Sequence, residues 1–292
     1  MDSNFSNIIK VIELDVERTF FENEIEKSRK AISNILKGIA YFEPKISYCQ
    51  GMNYIAAFLY QMTKNEEKAF DMFVLPEMFS SGFTMNPLAV AETMNGATMV
   101  WLKELAKKKM CAITGSLVIK ENRKFYNRMV FVFPSGEVQY YNKRHLFTLA
   151  GEEKVYTKGT EKVIVNYNNW NICLQVCYDL RFPVFSRNTE NYDLLLYVAN
   201  WPKPRISAWE ALLKARAIEN MCYTIGVNRV GEDANQLEYP GHSKAMDYLG
   251  NTIVDCEQEL GVFILELDKN AQQEMRKKLN FLNDRDDFTI IS

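Results

Sequence analysis

The chain is poor in histidine, with only His145 and His242 among its 292 residues. That scarcity argues against a His/Cys zinc cluster and leaves few bases of the usual kind for a nucleophile. The sequence also lacks any C-x-x-C pair. Its six cysteines, Cys49, Cys111, Cys173, Cys177, Cys222 and Cys256, are scattered through apolar segments, which argues against a disulfide framework in so long a chain. No apolar run is long enough to cross a bilayer, which takes about 20 residues. The N-terminus carries no basic-then-apolar pattern of a signal peptide. No charge of one sign dominates: 35 Lys and Arg stand against 37 Asp and Glu, a net charge of −2, so no basic field points to nucleic acid. No internal repeat, low-complexity segment or Gly/Ser linker occurs. These absences leave a cytoplasmic globular protein as the expectation. At 47% hydrophobic and 25% charged residues, the chain can form one large domain or two smaller ones.

The hydrophobic pattern changes near residue 70. Residues 1–70 read as helical, with Ile32, Ile35, Leu36 and Ile39 on one apolar face and Pro44 as a stop. Residues 71–292 alternate between strand-like and helix-like segments. Strands are expected over 71–75, 111–119, 127–133, 138–142, 163–167, 171–176, 194–199, 223–228, 252–255 and 262–267. Helices are expected over 97–109, 184–191, 206–220 and 268–279. Asn168-Asn169 and Pro134-Ser135-Gly136 read as hairpin turns. The mixture predicts an α/β fold of mixed sheets covered by helices.

One cysteine stands apart. In Asn171-Ile-Cys-Leu-Gln-Val-Cys177-Tyr-Asp-Leu-Arg-Phe-Pro183 an apolar strand ends on Cys177 and the chain turns toward a helix. Open α/β sheets carry reactive groups at such strand ends. On one strand, Cys173 and Cys177 would share a face. An ordinary thiol, with a pKa of about 8.5, is mostly protonated at neutral pH and needs a base or a neighbouring cation. A carboxylate and a lysine can do this work without histidine. Glu77, in Leu75-Pro76-Glu77-Met78-Phe79, closes one strand-like run, and Lys143, in Asn142-Lys143-Arg144-His145-Leu146-Phe147, follows another. Glu77 would take the thiol proton and return it to a leaving amine. Lys143 would favour the thiolate and, with the peptide N–H of Tyr178, hold an oxyanion. His145 reads as a structural residue and His242 as a loop residue near the mouth.

These three motifs, in this order, resemble those of the nitrilase (carbon–nitrogen hydrolase) superfamily. The resemblance extends through Ala199-Asn200-Trp201-Pro202, Leu213-Lys214-Ala215-Arg216-Ala217-Ile218-Glu219-Asn220 and Gly226-Val227-Asn228-Arg229. It implies an α-β-β-α sandwich over residues 71–292, a Glu77–Lys143–Cys177 triad, no metal and no cofactor. It also implies a second glutamate, matched best by Glu152 and alternatively by Glu153. The segments around Glu77, Cys177 and Trp201 resemble the ω-amidase type, which releases ammonia from small ω-amido-2-oxo acids. Arg181 is the nearest cation for a substrate carboxylate, or else a structural ion pair, and Trp201 a candidate pocket wall. The expected partners are a small-molecule amide and, by resemblance alone, a second copy in a homodimer.

Ile12-Glu-Leu-Asp15-Val-Glu-Arg18 and Tyr48-Cys-Gln50-Gly-Met-Asn53 resemble the two finger motifs of the TBC domain, which activates Rab GTPases. The resemblance covers about residues 8–70, with Arg18 as arginine finger and Gln50 as glutamine finger. Family members of the nitrilase type begin with a strand and a helix before the strand that ends in the glutamate, and TBC-like sequence stands in their place. The domain expectation is therefore a partial TBC-like helical segment over 1–70 and a nitrilase-like domain over 71–292. Two other functions remain open on these residues: a Rab GTPase-activating protein using Arg18 and Gln50, and an inactive fusion that only binds.

Overall fold

The computed structural model describes residues 71–233 and 235–290. All belong to the second of two units into which the chain divides, Phe70–Ser292. The expected helical segment over 1–70, with Arg18 and Gln50, lies outside the described residues.

Two sheets form the centre. The first has four described strands in the order β1 (Met72–Val74), β2 (Ala112–Glu121), β3 (Lys124–Val132) and β4 (Val138–Asn142). β1 runs parallel to β2, and the rest are antiparallel. The second sheet draws on β5 (Ile164–Tyr167), β6 (Trp170–Val176), β7 (Leu194–Ala199), β8 (Tyr223–Asn228), β11 (Lys244–Met246) and β12 (Thr252–Asp255), in the order β12-β11-β8-β7-β6-β5. Its middle strands β6, β7 and β8 are parallel. A short ribbon pairs β9 (Val230–Glu232) with β10 (Glu238–Pro240).

Side-chain alternation builds the layers. Ile172, Leu174 and Val176 of β6 and Leu194, Leu196 and Val198 of β7 meet Ala112, Met129, Phe131 and Tyr141 of the other sheet in one core. The opposite faces of the same strands, with Cys173, Leu195, Tyr197 and Ala199, pack on Trp209 and Leu213. Those two side chains come from the helix Ile206–Asn220, here α2. The helix Ala97–Lys109, α1, turns buried Met99, Leu102 and Ala106 toward β2 and β3 on the outside of the first sheet. The result is the α-β-β-α sandwich. A third helix, α3 (Lys269–Leu279), starts on Asp268, whose side chain accepts from the Ala271 N–H at 3.0 Å.

Hairpins fall where left-handed residues permit them. Asn168 and Asn169 have φ of 47° and 64° and join β5 to β6. Asn122 and Arg123, with φ of 50° and 63°, join β2 to β3, a turn with no glycine to announce it. The helix expected over 184–191 stops at Ser186. Beyond it, Asn188 Oδ1 accepts from the Tyr192 N–H at 2.8 Å, and the Asn188 N–H donates to Asn220 Oδ1 at 2.8 Å. Side-chain amides thus supply the bonds that further helix would have made. The strand expected over 262–267 joins no ladder among the described residues, although Leu265 and Leu267 still pack on the core at period two.

Candidate active site

The ends of β1, β4 and β6 converge. β1 leads to Glu77, β4 ends one residue before Lys143, and β6 ends one residue before Cys177. Two backbone features bring them together. Met78, just after Glu77, and Cys177 itself adopt left-handed φ of 45° and 47°. Such positions are costly for non-glycine residues and persist where the surroundings hold them. The Met78 N–H is fixed by Ser116 Oγ at 2.8 Å. Two glycines allow the close approach. A side chain at Gly115 would lie 2.8 Å from Leu75 Cβ, under the Glu77 loop, and one at Gly159 would collide with the Asn142 carbonyl next to Lys143.

Lys143 is the hub. Its Nζ lies 3.0 Å from Glu77 Oε1, 2.9 Å from Glu152 Oε2 and 3.1 Å from Glu152 Oε1, and all three side chains are fully enclosed. Asn127 Nδ2 donates to Glu77 Oε1 at 2.7 Å and to Glu152 Oε1 at 3.3 Å. Asn200 donates its backbone N–H to Glu77 Oε2 at 2.8 Å and its side-chain amide to the Glu77 carbonyl at 2.8 Å. Cys177 keeps partial exposure, and its Sγ lies 4.0 Å from the Asn200 carbonyl oxygen. The Cys177 turn is tied down by Asp179. Its Oδ2 accepts from the Val176 N–H at 2.9 Å and from the Tyr141 hydroxyl at 2.8 Å. Its Oδ1 accepts from the His145 N–H at 3.0 Å and lies 2.7 Å from His145 Nδ1. One buried carboxylate therefore joins the Cys177 turn to the Lys143 loop.

Burial works against the Lys143 ammonium, yet Glu152 and Glu77 outweigh it and hold its pKa well above the ordinary lysine value. Lys143 stays charged. Burial also raises the Glu152 carboxyl, while Lys143 pulls it back down and Glu77 adds to the rise. For Cys177, burial and then the adjoining Glu77 charge push the thiol well above its usual range, and Lys143 only partly offsets them. Lys143 does favour the thiolate, as expected, but burial and the Glu77 carboxylate beside the sulfur outweigh it. The peptide N–H of Tyr178 opens the 3-10 turn Cys177–Arg181, where the first N–H groups have no acceptor within the turn. A charged ammonium and a free N–H beside a thiol can stabilise an oxyanion.

The structure brings Glu77, Lys143, Glu152 and Cys177 together, with Tyr178 next to the thiol. Glu153, the alternative second glutamate, is exposed. Trp201 is buried against Trp209. Arg181 lies over the Trp201 ring at 4.9 Å and has no carboxylate partner among the described residues, so it is not the ion pair it could have been. His145 stacks on Phe182 with centroids 3.8 Å apart. His242 pairs with Glu210 at 3.1 Å. Cys173 lies within the strand, whereas Cys177 follows its last residue, Val176, and packs against both the inter-sheet core and the cluster that holds Cys173. Sequence reasoning assigned no site role to Asn127, Ser116, Asp179 or Asn200. Asp179 and Asn200 lie inside quoted motifs, but what each residue holds is recognisable only after folding. Among the described residues no group of three or more His, Cys, Asp or Glu side chains is arranged to hold a metal, and no helix is long and apolar enough to cross a membrane.

Comparison with known proteins leads to the same place. The family description "carbon-nitrogen hydrolase" matches residues 24–277. The chain is 43% identical over 221 residues to the omega-amidase YafV of Escherichia coli strain K12, covering 75% of this chain and 86% of that protein. It is 31% identical to a 2-oxoglutaramate amidase of Bacillus subtilis, covering 76% and 87%. Among solved structures, XC1258 of Xanthomonas campestris, a CN-hydrolase superfamily protein with an arsenic adduct in its active site, superposes with a TM-score of 0.78. That likeness is at 39% identity and covers 82% of this chain and 93% of the other. These comparisons give no support to a GTPase-activating reading. The sandwich, the carboxylate–lysine–thiol cluster at its strand ends and these likenesses agree that the chain belongs to the carbon–nitrogen hydrolase family.

Proposed function

We propose that the protein is an ω-amidase, hydrolysing the terminal amide of a small ω-amido-2-oxo acid through a thioester on Cys177. The observation that carries this reading is the enclosed Lys143 ammonium held between Glu77 and Glu152 beside the Cys177 thiol. The 43% identity to an omega-amidase supplies the substrate class.

Glu77 takes the Cys177 proton as sulfur attacks the amide carbon. The carbonyl oxygen becomes an oxyanion, met by Lys143 Nζ and the Tyr178 N–H. Lys143 can spare a donor, because two of its contacts fall on the same Glu152 carboxylate. Glu152 keeps the ammonium charged and aimed. Glu77 then gives its proton to the amide nitrogen, the C–N bond breaks and ammonia leaves. Water enters, Glu77 takes its proton, and the hydroxide adds to the thioester carbon. As the C–S bond breaks, the proton returns from Glu77 to sulfur and the acid is released. Arg181 takes the substrate carboxylate, and Trp201 forms the apolar wall that Arg181 rests on.

The test is ammonia release from an ω-amido-2-oxo acid by the full chain, wild type against Cys177→Ala. Release that the substitution abolishes is expected. No release from a folded wild-type chain, or release that persists without the thiol, would sink the reading.

A further inference from the structure

Arginines in folded proteins generally spend their five donors on carboxylates or carbonyls. Most of those described here do so. Arg128 pairs with Glu121, Arg276 with Asp193 and Arg216 with Glu219. Arg144, Arg229 and Arg285 donate to backbone carbonyls. Two half-buried arginines do neither. The Arg181 guanidinium rests on the Trp201 ring at 4.9 Å, and that of Arg205 on the Phe147 ring at 5.1 Å. Neither has a salt-bridge or hydrogen-bond partner for its guanidinium among the described residues. An aromatic face orients a guanidinium while leaving its N–H edge unused.

Both arginines are wired to the reacting groups. The Phe147 N–H donates to Glu152 Oε2 at 2.6 Å, and the Phe147 ring lies edge-on to Tyr178, the residue after the nucleophile, at 5.0 Å. Trp201 follows Asn200, whose N–H holds Glu77, and its own Nε1 donates to the Arg205 carbonyl at 2.7 Å. The two guanidiniums therefore belong to loops that meet around Trp201, beside the thiol. Their planar forks match a carboxylate and a neighbouring carbonyl oxygen.

Building on the amidase reading, we propose that Arg205 is a specificity-determining residue that completes, with Arg181, a two-guanidinium rim for an anionic substrate tail. Arg181 and Arg205 share the carboxylate and the adjacent oxo group of the ω-amido-2-oxo acid. The amide end then points to Cys177. Neutral amides lack the group this rim recognises and are disfavoured. The carbonyl of Arg205 that accepts from Trp201 belongs to the backbone, so the side chain can be changed without removing that bond.

The experiment compares an ω-amido-2-oxo acid with an uncharged primary amide of the same chain length, using the full chain. In Arg205→Met the ratio of kcat/KM between the anionic and neutral amides should fall roughly 10- to 100-fold, as the loss of a charge-assisted hydrogen bond does. The loss should lie mainly in KM, and Arg205→Lys should fall between wild type and Met. In parallel, calorimetry on Cys177→Ala, with and without Arg205→Met, measures binding of the anionic amide without turnover. A ratio unchanged by Arg205→Met while the anion is still hydrolysed overturns the rim and leaves the amidase reading standing. Binding of the anion that depends on Arg205, in a protein whose wild type hydrolyses neither amide, upholds the rim and ends the amidase reading. No binding of the anion to Cys177→Ala overturns the rim.

Discussion

Two buried carboxylates at different places in the sandwich show how similar parts serve different ends. Asp193, at the start of β7, accepts from the Asn171 N–H at 3.0 Å and from Gln273 Nε2 at 2.9 Å, and pairs with Lys269 at 2.7 Å and Arg276 at 3.3 Å. Glu77 likewise is ringed by donors from Lys143, Asn127 and Asn200. The difference lies in the balance of charge and in the neighbour. Two cations serve Asp193, both drawn from α3, so the cluster pins that helix to the sheet. At the other site two carboxylates, Glu77 and Glu152, share the single Lys143, and a thiol adjoins them. A carboxylate with cations to spare is a fastener. A carboxylate short of cations beside an S–H group is placed to serve as the base proposed above.

Glu77→Gln attacks that distinction most directly. The amide keeps the size and some of the hydrogen bonds but cannot take a proton. Amide hydrolysis should fall by about 10²- to 10⁴-fold, the usual worth of a general base, read as ammonia release per folded chain, because the substitution also takes one carboxylate from the enclosed Lys143. Asp193→Asn should do the reverse. Removing the charge from a buried pair costs about 3–5 kcal/mol, so thermal or denaturant unfolding should show a large loss of stability. The kcat of the folded fraction should stay near wild type. Equal effects of both substitutions on kcat would erase the contrast between fastener and base.

Much of this was readable before folding, for reasons that differ from residue to residue. Glu77, Lys143 and Cys177 each lie at the end of a strand-like run inside a recognisable motif, so local sequence locates them. The segment 206–220 was legible as a helix and matches α2 end to end. The second glutamate was ambiguous because Glu152 and Glu153 are neighbours in one 3-10 turn, and only the fold decides that Glu152 faces Lys143 while Glu153 faces solvent. Asn127 and Asn200 were opaque as site residues for a different reason. An asparagine is common in turns and strand ends, and nothing local shows that two of them meet the same carboxylate. The short helix at Pro183–Ser186 was overestimated because propensity cannot see Asn188 donating its N–H to Asn220 Oδ1 and its side-chain amide to the Asn220 carbonyl.

Thiol chemistry sharpens the comparison with a smaller effect. Burial, and after it the Glu77 charge, raise the Cys177 thiol, so the thiolate is scarce at neutral pH and grows as pH rises through and beyond the ordinary thiol range. Alkylation of Cys177 by iodoacetamide should accordingly be slow near pH 7 and accelerate steadily toward pH 10, measured by mass spectrometry of the labelled peptide. In Glu77→Gln the negative charge is gone, the thiol pKa falls, and labelling at pH 8 should be several-fold faster while hydrolysis is lost. Opposite movement of the two rates in one variant is what a proton-accepting neighbour predicts. A merely structural carboxylate would slow both or neither. Cys173, on the strand that leads to Cys177, supplies the control. It is fully buried on the helix-facing side, and its thiol is raised by burial with no glutamate of the site among its neighbours. Labelling there should be undetectable in the native protein and untouched by Glu77→Gln, and Cys173→Ala should leave kcat within about twofold at a stability cost of order 1 kcal/mol.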